Sequence, residues 1–302
     1  MMKSILILGK NSYLGENLYR WLQKYPHLYK VDIVSTLNYA WKKVNFKNYD
    51  VVVDYAGIAH ISHITKDMER LFYSVNRDLT IEIGEWCKKN SVKQLIYFSS
   101  MNVYGDYCNN ISDRDAVNPT SFYGDSKLQG DIGLKTLESQ EFKVAHVRPP
   151  FVYGYGCTGN YKTISKIAKK IPVFPDFPNK KSMIYVDNLN EFIRLLIESG
   201  EGGVYTPQNR ELVSTSELVR TISRINGNSI LFTKVFNPAI RIGNYLTRKV
   251  RRAFADDCYN LDLSNHFEWK YNLIDFVTSI KYTESKQTGN MSRPNLEKDL
   301  DD

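Results

Sequence analysis

The chain has 302 residues, 42% of them hydrophobic, and its 40 basic and 33 acidic side chains give a net charge of +7. This length and composition allow one large domain or two small ones with a sizeable core, and they argue against wholesale disorder. The mild positive charge suits an anionic small substrate. Because no Lys/Arg-rich arm with interleaved aromatic residues is present, we predict no nucleic-acid partner.

The cysteines and the apolar runs favour a cytoplasmic protein without a metal site. Cys87, Cys108, Cys157 and Cys258 have no CxxC spacing, and no cluster of His and Cys residues offers zinc ligands. The apolar run near the N-terminus spans only about five residues, and no later run approaches the ~18 residues that a membrane span needs. We therefore predict reduced thiols, no metal, no membrane span and a cytoplasmic location.

Apolar runs and helical patterns alternate through the first half of the chain. The apolar runs predict strands at 4–8, 31–35, 50–57, 94–100 and 142–149, and helical spacing of apolar residues predicts helices at 12–25, 68–90 and 121–139. Such alternation is typical of βαβ units, and unbroken apolar strands indicate burial on both faces. We predict an α/β fold with a Rossmann-like, doubly wound parallel sheet.

The pattern loosens after residue 150, where loops rich in Pro and Gly separate shorter helical segments. We predict a smaller C-terminal α/β domain there. Residues 241–254 form a basic amphipathic pattern, with Ile242, Leu246, Val250 and Phe254 spaced for one helical face. Such a helix lies on a membrane surface or is a solvated helix of the smaller domain, and we favour the latter. Residues 284–302 are nearly free of apolar side chains, which predicts a disordered tail.

The turn between the first strand and the first helix is rich in glycine. In "ILGKNSYLGENL", Gly9 and Gly15 stand six residues apart, with Ser12 midway. A turn of this kind lets backbone N–H groups and the helix N-terminus meet a pyrophosphate. We therefore predict a dinucleotide site that includes Gly9, Ser12, Tyr13, Leu14 and Gly15.

The second strand leaves the choice between NAD and NADP open. No Asp or Glu stands at its end, where an acid would bind the ribose of NAD. Asp32 lies within the strand, and Lys42 and Lys43 are better explained as a solvated face than as a site for a 2′-phosphate. We favour NAD without excluding NADP.

Ser100, Tyr123 and Lys127 form a candidate proton-transfer site. Ser100 ends the fourth strand, at the sheet edge where ligands bind, and Tyr123 and Lys127 are four residues apart on one helical face. A phenol has a pKa near 10, so about 3 units of lowering, or roughly 4 kcal/mol, would make it a base at pH 7. A neighbouring ammonium and a cationic nicotinamide would supply that stabilisation. The serine would hydrogen-bond the reacting oxygen of the substrate.

With these residues, the chain resembles the extended short-chain dehydrogenase/reductase family, in its nucleotide-sugar epimerase/dehydratase branch. The resemblance covers roughly residues 3–225. Besides the glycine turn, its matching motifs are "DVVVDYAG" at 50–57, "VNRDLT" at 75–80, "FSSMNVYG" at 98–105, "YGDSK" at 123–127, "VRPPFVYG" at 147–154 and "KKSMIYVDNL" at 180–189.

The resemblance implies roles for individual residues. The catalytic residues would be Ser100, Tyr123 and Lys127. The cofactor contacts beyond the glycine turn would be Ala56, Gly57, Asn76, Tyr123, Lys127 and Pro149. The substrate contacts would be His60, Ser100, Met101, Asn102, Asn160 and Lys181, the last standing where many relatives have Arg.

The resemblance also implies a domain division and an assembly. Residues 1–153 and about 182–206 would bind the dinucleotide, and residues 154–181 and 207–283 would bind a nucleotide sugar. Helices 68–90 and 121–139 would pair with those of a second copy in a homodimer.

Departures from the family pattern narrow the activity. Sugar 4,6-dehydratases carry an Asp–Glu pair where this chain has Met101 and Asn102, which can neither expel water nor take a proton, so we exclude dehydration. The segments "AGIAHI" and "RPPFVYGYGCTGNY" are similar to those of enzymes acting at C4 of UDP-N-acetylhexosamines. We predict an NAD-dependent 4-epimerase of UDP-hexoses or UDP-N-acetylhexosamines in surface polysaccharide synthesis. The alternatives are an NAD(P)H-dependent 4-keto-sugar reductase and a non-catalytic dinucleotide sensor.

Overall fold

The computed structural model describes residues 2–59, 66–106 and 108–285. His60 and residues 286–302 lie outside the described residues. Within the described ranges the strands are β1 (Lys3–Leu8), β2 (Tyr29–Val34), β3 (Val51–Asp54), β4 (Gln94–Phe98), β5 (Lys143–Val147), β6 (Phe151–Tyr153), β7 (Val173–Pro175), β8 (Met183–Tyr185), β9 (Gly203–Tyr205) and β10 (Leu231–Thr233). The α-helices are α1 (Tyr13–Leu22), α2 (Lys66–Tyr73), α3 (Thr80–Lys89), α4 (Phe122–Lys135), α5 (Asn160–Ala168), α6 (Val186–Ser199), α7 (Thr215–Ile225), α8 (Asn237–Leu246), α9 (Arg248–Phe254) and α10 (Phe276–Ser285).

The main sheet has six strands in the order β2-β1-β3-β4-β5-β9, and every neighbouring pair is parallel. The strand order reverses beside β1, because the chain continues from β1 to one neighbour, β2, and then returns to the other, β3. In open α/β sheets the crevice at such a reversal, above the carboxyl ends of the strands, is where ligands bind. The five strands predicted from the sequence are all present.

Both faces of this sheet are buried, as the apolar strands predict. Successive side chains of a strand point to opposite faces. Ile5 and Ile7 accordingly pack in one cluster with Leu18 of α1 and Phe192 of α6. Leu6 and Leu8 pack in a second cluster on the other face, which includes Ile83 of α3 and Leu134 of α4. The sheet is therefore doubly wound, which confirms the predicted fold class.

The helix predicted at 68–90 is interrupted. The chain passes from α2 through a π-helical turn, Ser74–Leu79, into α3. A π turn adds one residue to the hydrogen-bonded loop, and such turns occur frequently at functional sites. Here the turn buries Asn76 completely.

The remaining elements pack beside the carboxyl end of the sheet. Two small parallel pairs, β6 with β8 and β7 with β10, accompany helices α5 and α7–α10. A third apolar cluster joins α5, α7 and α10 around Tyr161, Leu218 and Phe276.

Two predicted boundaries in this part of the chain were wrong. The helix predicted at 241–254 is broken at Thr247, whose extended backbone separates α8 from α9 and whose side chain caps α9. The tail predicted from residue 284 was wrong for its first two residues, because α10 runs to Ser285 and Glu284 is buried, and the rest of that prediction lies outside the described residues. The Glu284 carboxylate pairs with Lys169 at 2.7 Å and accepts a hydrogen bond from Tyr161 at 2.9 Å, and these contacts hold the end of the helix in place.

Candidate active site

The glycine turn brings strand β1 and helix α1 into close contact. Ser12 caps α1 by accepting a hydrogen bond from the N–H of Gly15 at 3.1 Å, and its hydroxyl donates to the carbonyl of Gly9 at 2.7 Å. A Cβ atom on Gly15 would lie 2.4 Å from that same carbonyl oxygen, so only glycine fits there. The turn thus places the N-terminus of α1 at the reversal of the strand order, the position where folds of this class bind a pyrophosphate.

Residues after β3 form the next part of the crevice. The side chain of Asn76 clamps this segment by accepting from the N–H of Ile58 at 2.8 Å and donating to its carbonyl at 3.1 Å. A Cβ atom on Gly57 would lie 2.8 Å from Nζ of Lys127 and 3.2 Å from Oδ1 of Asn76. Glycine at position 57 therefore lets the side chains of Lys127 and Asn76 approach the backbone closely, at the sheet edge where ligands of such folds bind.

The end of β2 holds no ribose-binding acid. Asp32 accepts a hydrogen bond from the Tyr49 hydroxyl at 2.9 Å, which accounts for the carboxylate inside this strand. Lys42 pairs with Glu82 of α3. Asp32 and Lys42 therefore have partners away from the end of β2. Neither acts there as the ribose-binding carboxylate of an NAD site or as a lysine for a 2′-phosphate.

Ser100, Tyr123 and Lys127 meet at the carboxyl end of β4. Ser100 follows β4 and caps a short 3₁₀ helix, Met101–Tyr104, through its side chain. Tyr123 and Lys127 lie one turn apart on α4. The Tyr123 hydroxyl hydrogen-bonds with the side chain of Ser100. Nζ of Lys127 donates to the carbonyl of Phe98 at 2.8 Å and to that of Ala56 at 3.3 Å. The three side chains singled out in the sequence therefore lie together in the structure.

The electrostatics of this group differ from the sequence-based expectation. Burial raises the pKa of the Tyr123 phenol, and its hydrogen bond with Ser100 opposes the rise. The lowered pKa predicted for Tyr123 was therefore wrong for the protein alone. Burial lowers the pKa of Lys127 to about 8, while the charges of Asp54 and Asp131 raise it. Tyr123 is thus a neutral phenol at pH 7 until further positive charge enters the crevice.

A chain of hydrogen bonds connects Ser100 to helix α9. Ser100 Oγ donates to Oδ1 of Asn102 at 3.0 Å, and Nδ2 of Asn102 donates to Oδ1 of Asp106 at 3.3 Å. The other carboxylate oxygen of Asp106 pairs with Nη2 of Arg248 at 2.9 Å. Asn102, predicted to contact substrate, therefore links the serine to the arginines of α9.

Asn160 and Lys181, the substrate contacts predicted in the smaller domain, both contact Arg252. This arginine lies one helical turn from Arg248 on α9. Nη2 of Arg252 donates to Oδ1 of Asn160 at 2.5 Å, and Nζ of Lys181 donates to the carbonyl oxygen of Arg252 at 3.3 Å. Burial lowers the pKa of Lys181, and the charge of Asp257 raises it. Cationic side chains thus gather beside the crevice, where they suit an anionic diphosphate.

Two further predicted contacts pack inside the protein. Met101 is buried in a small cluster with Ile111 and Tyr259. There it supports residues 99–104, which we call the serine loop. Pro149 is buried as well, and its carbonyl accepts from the N–H of Met101 at 3.1 Å.

A buried ionic network behind the serine loop was missed in the sequence. Asp131 accepts from Ser99 at 3.0 Å and from Nη2 of Arg148 at 2.9 Å, and its other oxygen lies 3.0 Å from Nδ1 of His146. Nη1 of Arg148 donates to the Tyr104 hydroxyl at 2.9 Å. The network ties α4 to both ends of the serine loop. The single sequence signal for it is that Asp131 lies four residues after Lys127, on the same helical face.

Asp54 was also missed. It ends β3 with no exposed surface, and its Oδ1 accepts from the N–H of Ala56 at 2.8 Å. Burial raises its pKa to about 7, while the hydrogen bond from Ala56 and the charge of Lys127 lower it. An acidic residue inside the apolar run "DVVVDYAG" is the signal that could have identified it.

Comparison with known proteins decides the family. Residues 5–206 match the model of the NAD dependent epimerase/dehydratase family, which is well over half of the chain. The chain belongs to this family. Membership confirms the predicted class, an enzyme of the epimerase/dehydratase type that uses NAD(P), and the crevice described above fits that cofactor.

Relatives of this family member include two named 4-epimerases. The chain is 27% identical over 250 residues to a UDP-glucose 4-epimerase of Vibrio cholerae, covering 74% of this chain and 76% of that protein. It is 29% identical over 182 residues to the N-acetyl-alpha-D-glucosaminyl-diphospho-ditrans,octacis-undecaprenol 4-epimerase of Escherichia coli O157:H7, covering 58% of this chain and 55% of that protein.

Solved structures support the same fold. The crystal structure of UDP-N-acetylglucosamine 4-epimerase from Bacillus cereus superposes with a TM-score of 0.74 at 16% identity, covering 95% of this chain and all of that one. At this identity the likeness supports the architecture of the family member and carries no information about its substrate.

Proposed function

We propose that the protein is an NAD-dependent 4-epimerase of nucleotide sugars, acting on a UDP-hexose or a UDP-N-acetylhexosamine. The observation that carries the proposal is the meeting of Ser100, Tyr123 and Lys127 at the carboxyl ends of β3 and β4, the sheet edge where ligands of such folds bind. Both named relatives are 4-epimerases, which supports C4 as the reacting carbon.

The residues would divide the chemistry among them. Ser100 holds the hydroxyl at C4 through a hydrogen bond, and Tyr123 takes its proton on oxidation and returns it on reduction. When bound at the glycine turn and beside Tyr123 and Lys127, NAD would supply the acceptance and return of hydride at C4 that inversion needs. Lys127, fixed by the carbonyls of Ala56 and Phe98, supplies the positive charge that favours the phenolate while the proton is away from Tyr123.

Departures at the serine loop support epimerisation over dehydration. Dehydration needs an acid and a base next to the catalytic hydroxyl. Met101 is buried among apolar side chains, and Asn102 is occupied between Ser100 and Asp106. Neither side chain can exchange a proton with a substrate, so the 4-keto sugar would turn over and be reduced without losing water.

The cellular setting and the assembly are part of this proposal. We place the enzyme in the cytoplasm, in the synthesis of sugar nucleotides for surface polysaccharides, with α2–α3 and α4 paired to a second copy in a homodimer. Light scattering of the purified protein tests the dimer directly.

A two-step experiment tests the activity. The purified protein is denatured, and the released dinucleotide is identified by mass. The native protein is then offered UDP-glucose and UDP-N-acetylglucosamine without added cofactor, and NMR is used to detect the C4 epimers. We expect released NAD and interconversion of at least one pair. A protein purified without dinucleotide that consumes NAD(P)H with a 4-keto sugar would instead be the reductase.

A further inference from the structure

Helix α8 exposes large apolar side chains, which a solvated surface helix would bury. The exposed fractions are 61% for Ile242, 83% for Tyr245 and 75% for Leu246, and these three residues lie on one side of α8. Just before the helix, Val235 is 78% exposed. An ordinary surface helix turns its apolar stripe to the core, and contiguous exposed apolar surface marks an interaction site. We call the surface formed by Val235, Ile242, Tyr245 and Leu246 the α8 patch.

The opposite side of α8 is well packed, so the exposure does not come from a loose helix. Ile240 is buried. Gly243 approaches α9 so closely that a Cβ atom on it would lie 3.0 Å from Cγ1 of Val250. Phe254 at the end of α9 contacts the ring of Phe174 with the centroids 5.9 Å apart. The α8 patch is therefore presented outward by a pair of anchored helices.

The charged residues of the segment that carries the patch are all basic. Residues 231–254 contain six basic side chains and no acidic one. These are Lys234, Arg241, Arg248, Lys249, Arg251 and Arg252. Of them, Arg248 is paired with Asp106. Apolar side chains flanked by Lys and Arg are typical of helices that lie in the interface of an anionic bilayer, where the apolar face enters the acyl boundary and the cations meet the headgroups.

We propose that the α8 patch and its basic flanks dock this protein on an anionic membrane surface. A second copy of the chain is a poorer occupant, because a twofold contact would place this all-basic segment against itself. Nucleic acid is a still poorer occupant, because contacts with its phosphates would leave the apolar side chains of Ile242 and Leu246 exposed to water. Within the described part of the chain no helix is long and apolar enough to cross a bilayer, so the contact would be peripheral.

The position of the patch suggests what docking achieves. Helix α9 carries Arg248, which reaches Ser100 through Asp106 and Asn102, and Arg252, which contacts Asn160. Helix α9 forms one side of the crevice, and docking would hold that side against the membrane surface. The crevice would then reach a sugar diphosphate whose carrier is anchored in the bilayer. This last step rests on the proposed C4 chemistry and extends its substrate class from UDP-sugars to lipid-linked sugar diphosphates, whereas the docking itself does not rest on it.

Flotation with vesicles tests the docking. The full-length protein is mixed with vesicles of phosphatidylcholine alone or of phosphatidylcholine with an equal amount of phosphatidylglycerol. We expect binding to the anionic vesicles that weakens with added salt, and little binding to the neutral ones. The variant Arg241→Glu/Lys249→Glu should lower the affinity for anionic vesicles by at least about tenfold, since each basic residue near such a surface contributes about fivefold. The variant Ile242→Ser/Tyr245→Ser/Leu246→Ser should also weaken binding.

A matched variant separates local from overall charge. Lys30→Glu/Lys281→Glu changes the net charge by the same amount at exposed positions away from the patch, and it should retain most of the binding. Equal loss in both charge variants, or no binding of the unaltered protein to anionic vesicles, would overturn the docking proposal. So would a dimer that dissociates when the apolar variant is made, because a second copy would then cover the patch.

The docking and the proposed function fail separately. If C4 interconversion of UDP-sugars is intact in every variant while vesicle binding is absent in the unaltered protein, the docking is wrong and the 4-epimerase stands. If the unaltered protein binds anionic vesicles but inverts C4 neither in UDP-sugars nor in vesicle-embedded polyprenyl-diphosphate sugars, the docking stands and the proposed function is wrong.

Discussion

Nζ of Lys127 lies 2.8 Å from the carbonyl oxygen of Phe98, the last residue of β4. This hydrogen bond, with a second one to the carbonyl of Ala56, anchors the ammonium at the junction of two strand ends. The lysine therefore cannot swing freely toward Tyr123. Its ammonium is held at the carbonyl oxygens of Phe98 and Ala56, in a helix that places it one turn from Tyr123.

Removing only the phenolic oxygen tests its role in proton transfer. Tyr123→Phe keeps the ring, which packs against Phe72 with centroids 6.3 Å apart. We expect kcat to fall by about 10²–10⁴, the usual contribution of general acid–base catalysis, with the thermal unfolding temperature nearly unchanged. Tyr245→Phe makes the same change at an exposed position and should leave kcat intact. Comparable activity in both variants would remove Tyr123 from the mechanism.

The charge of Asp54 should set the pH range in which Lys127 is cationic. Burial lowers the pKa of Lys127 to about 8, and Asp54 is the first of two carboxylates that raise it. Asp54→Asn removes this charge but keeps an oxygen that can accept from the N–H of Ala56, so the pKa of Lys127 should fall below 8. Because the lysine then loses its proton at lower pH, the alkaline limb of kcat/KM should move to lower pH.

The control for this prediction is the same chemical change elsewhere. Asp32→Asn alters a carboxylate on β2 whose partner is Tyr49, and it should leave the limb in place. An unmoved limb in Asp54→Asn would mean that Lys127 does not govern it.

Gly15 is required for the approach of α1 to β1. In Gly15→Ala the new Cβ atom would lie 2.4 Å from the carbonyl oxygen of Gly9, and backbone cannot give way as a flexible side chain can. We expect a loss of about 1–3 kcal/mol in the free energy of unfolding, together with loss of most of the bound dinucleotide. Thermal unfolding and the amount of nucleotide released on denaturation measure the two effects.

A second glycine separates strain from loss of the site. Gly227 has φ of +72° and open space where its Cβ would stand. Gly227→Ala should therefore cost about 1–2 kcal/mol through the backbone alone. If that variant loses dinucleotide as Gly15→Ala does, general destabilisation and not the glycine turn controls retention.

The buried end of α10 should contribute a stability that depends on pH. Burial raises the pKa of the Glu284 carboxyl, but its hydrogen bonds with Lys169, Ser165 and Tyr161 together lower it below the ordinary 4.5. A lowered folded-state pKa means that this stabilisation is complete above about pH 4.5 and is lost as the pH falls through the folded value. Glu284→Gln should destabilise the protein by about 1.5–3 kcal/mol at pH 7, the usual contribution of hydrogen bonds to a charged group, and the difference should shrink in acid.

Glu268→Gln is the matched control, since the pair of Glu268 with Lys270 is exposed on both sides. Exposed pairs contribute about 0–1 kcal/mol, so this variant should unfold much like the unaltered protein. Denaturant titration at pH 7 and at acid pH gives the comparison. A penalty for Glu284→Gln that stays constant with pH would contradict the assigned role of its charge.

Local patterns made the sheet and the catalytic group predictable. The strands are apolar runs that need no distant information, and Ser100 and Lys127 could be placed because strand ends share one sheet edge and helical turns repeat every four residues or so. Features that depend on long-range contact were not predictable. Asp131 meets Arg148 only after α4 packs beside β5, and Glu284 finds Lys169 only after α10 packs against α5.

Irregular backbone was not predictable from the sequence for a different reason. The π turn at Ser74–Leu79 interrupts an apolar pattern that is compatible with one continuous helix, and no residue type marks it. The break at Thr247 depends on the threonine side chain capping α9, a signal that a continuous amphipathic pattern conceals. The π turn buries Asn76, whose side chain then holds the segment after β3 through Ile58.

A deuterium label at C4 shows whether hydride leaves and returns within one crevice. The UDP-sugar that the protein interconverts is prepared with deuterium at C4 and incubated with the protein as purified, without added dinucleotide. We expect the inverted sugar to retain its deuterium at C4, because the same hydrogen leaves and returns within one crevice. We expect Tyr123→Phe to invert the sugar far more slowly. Inversion with exchange of the label for solvent hydrogen would contradict the account.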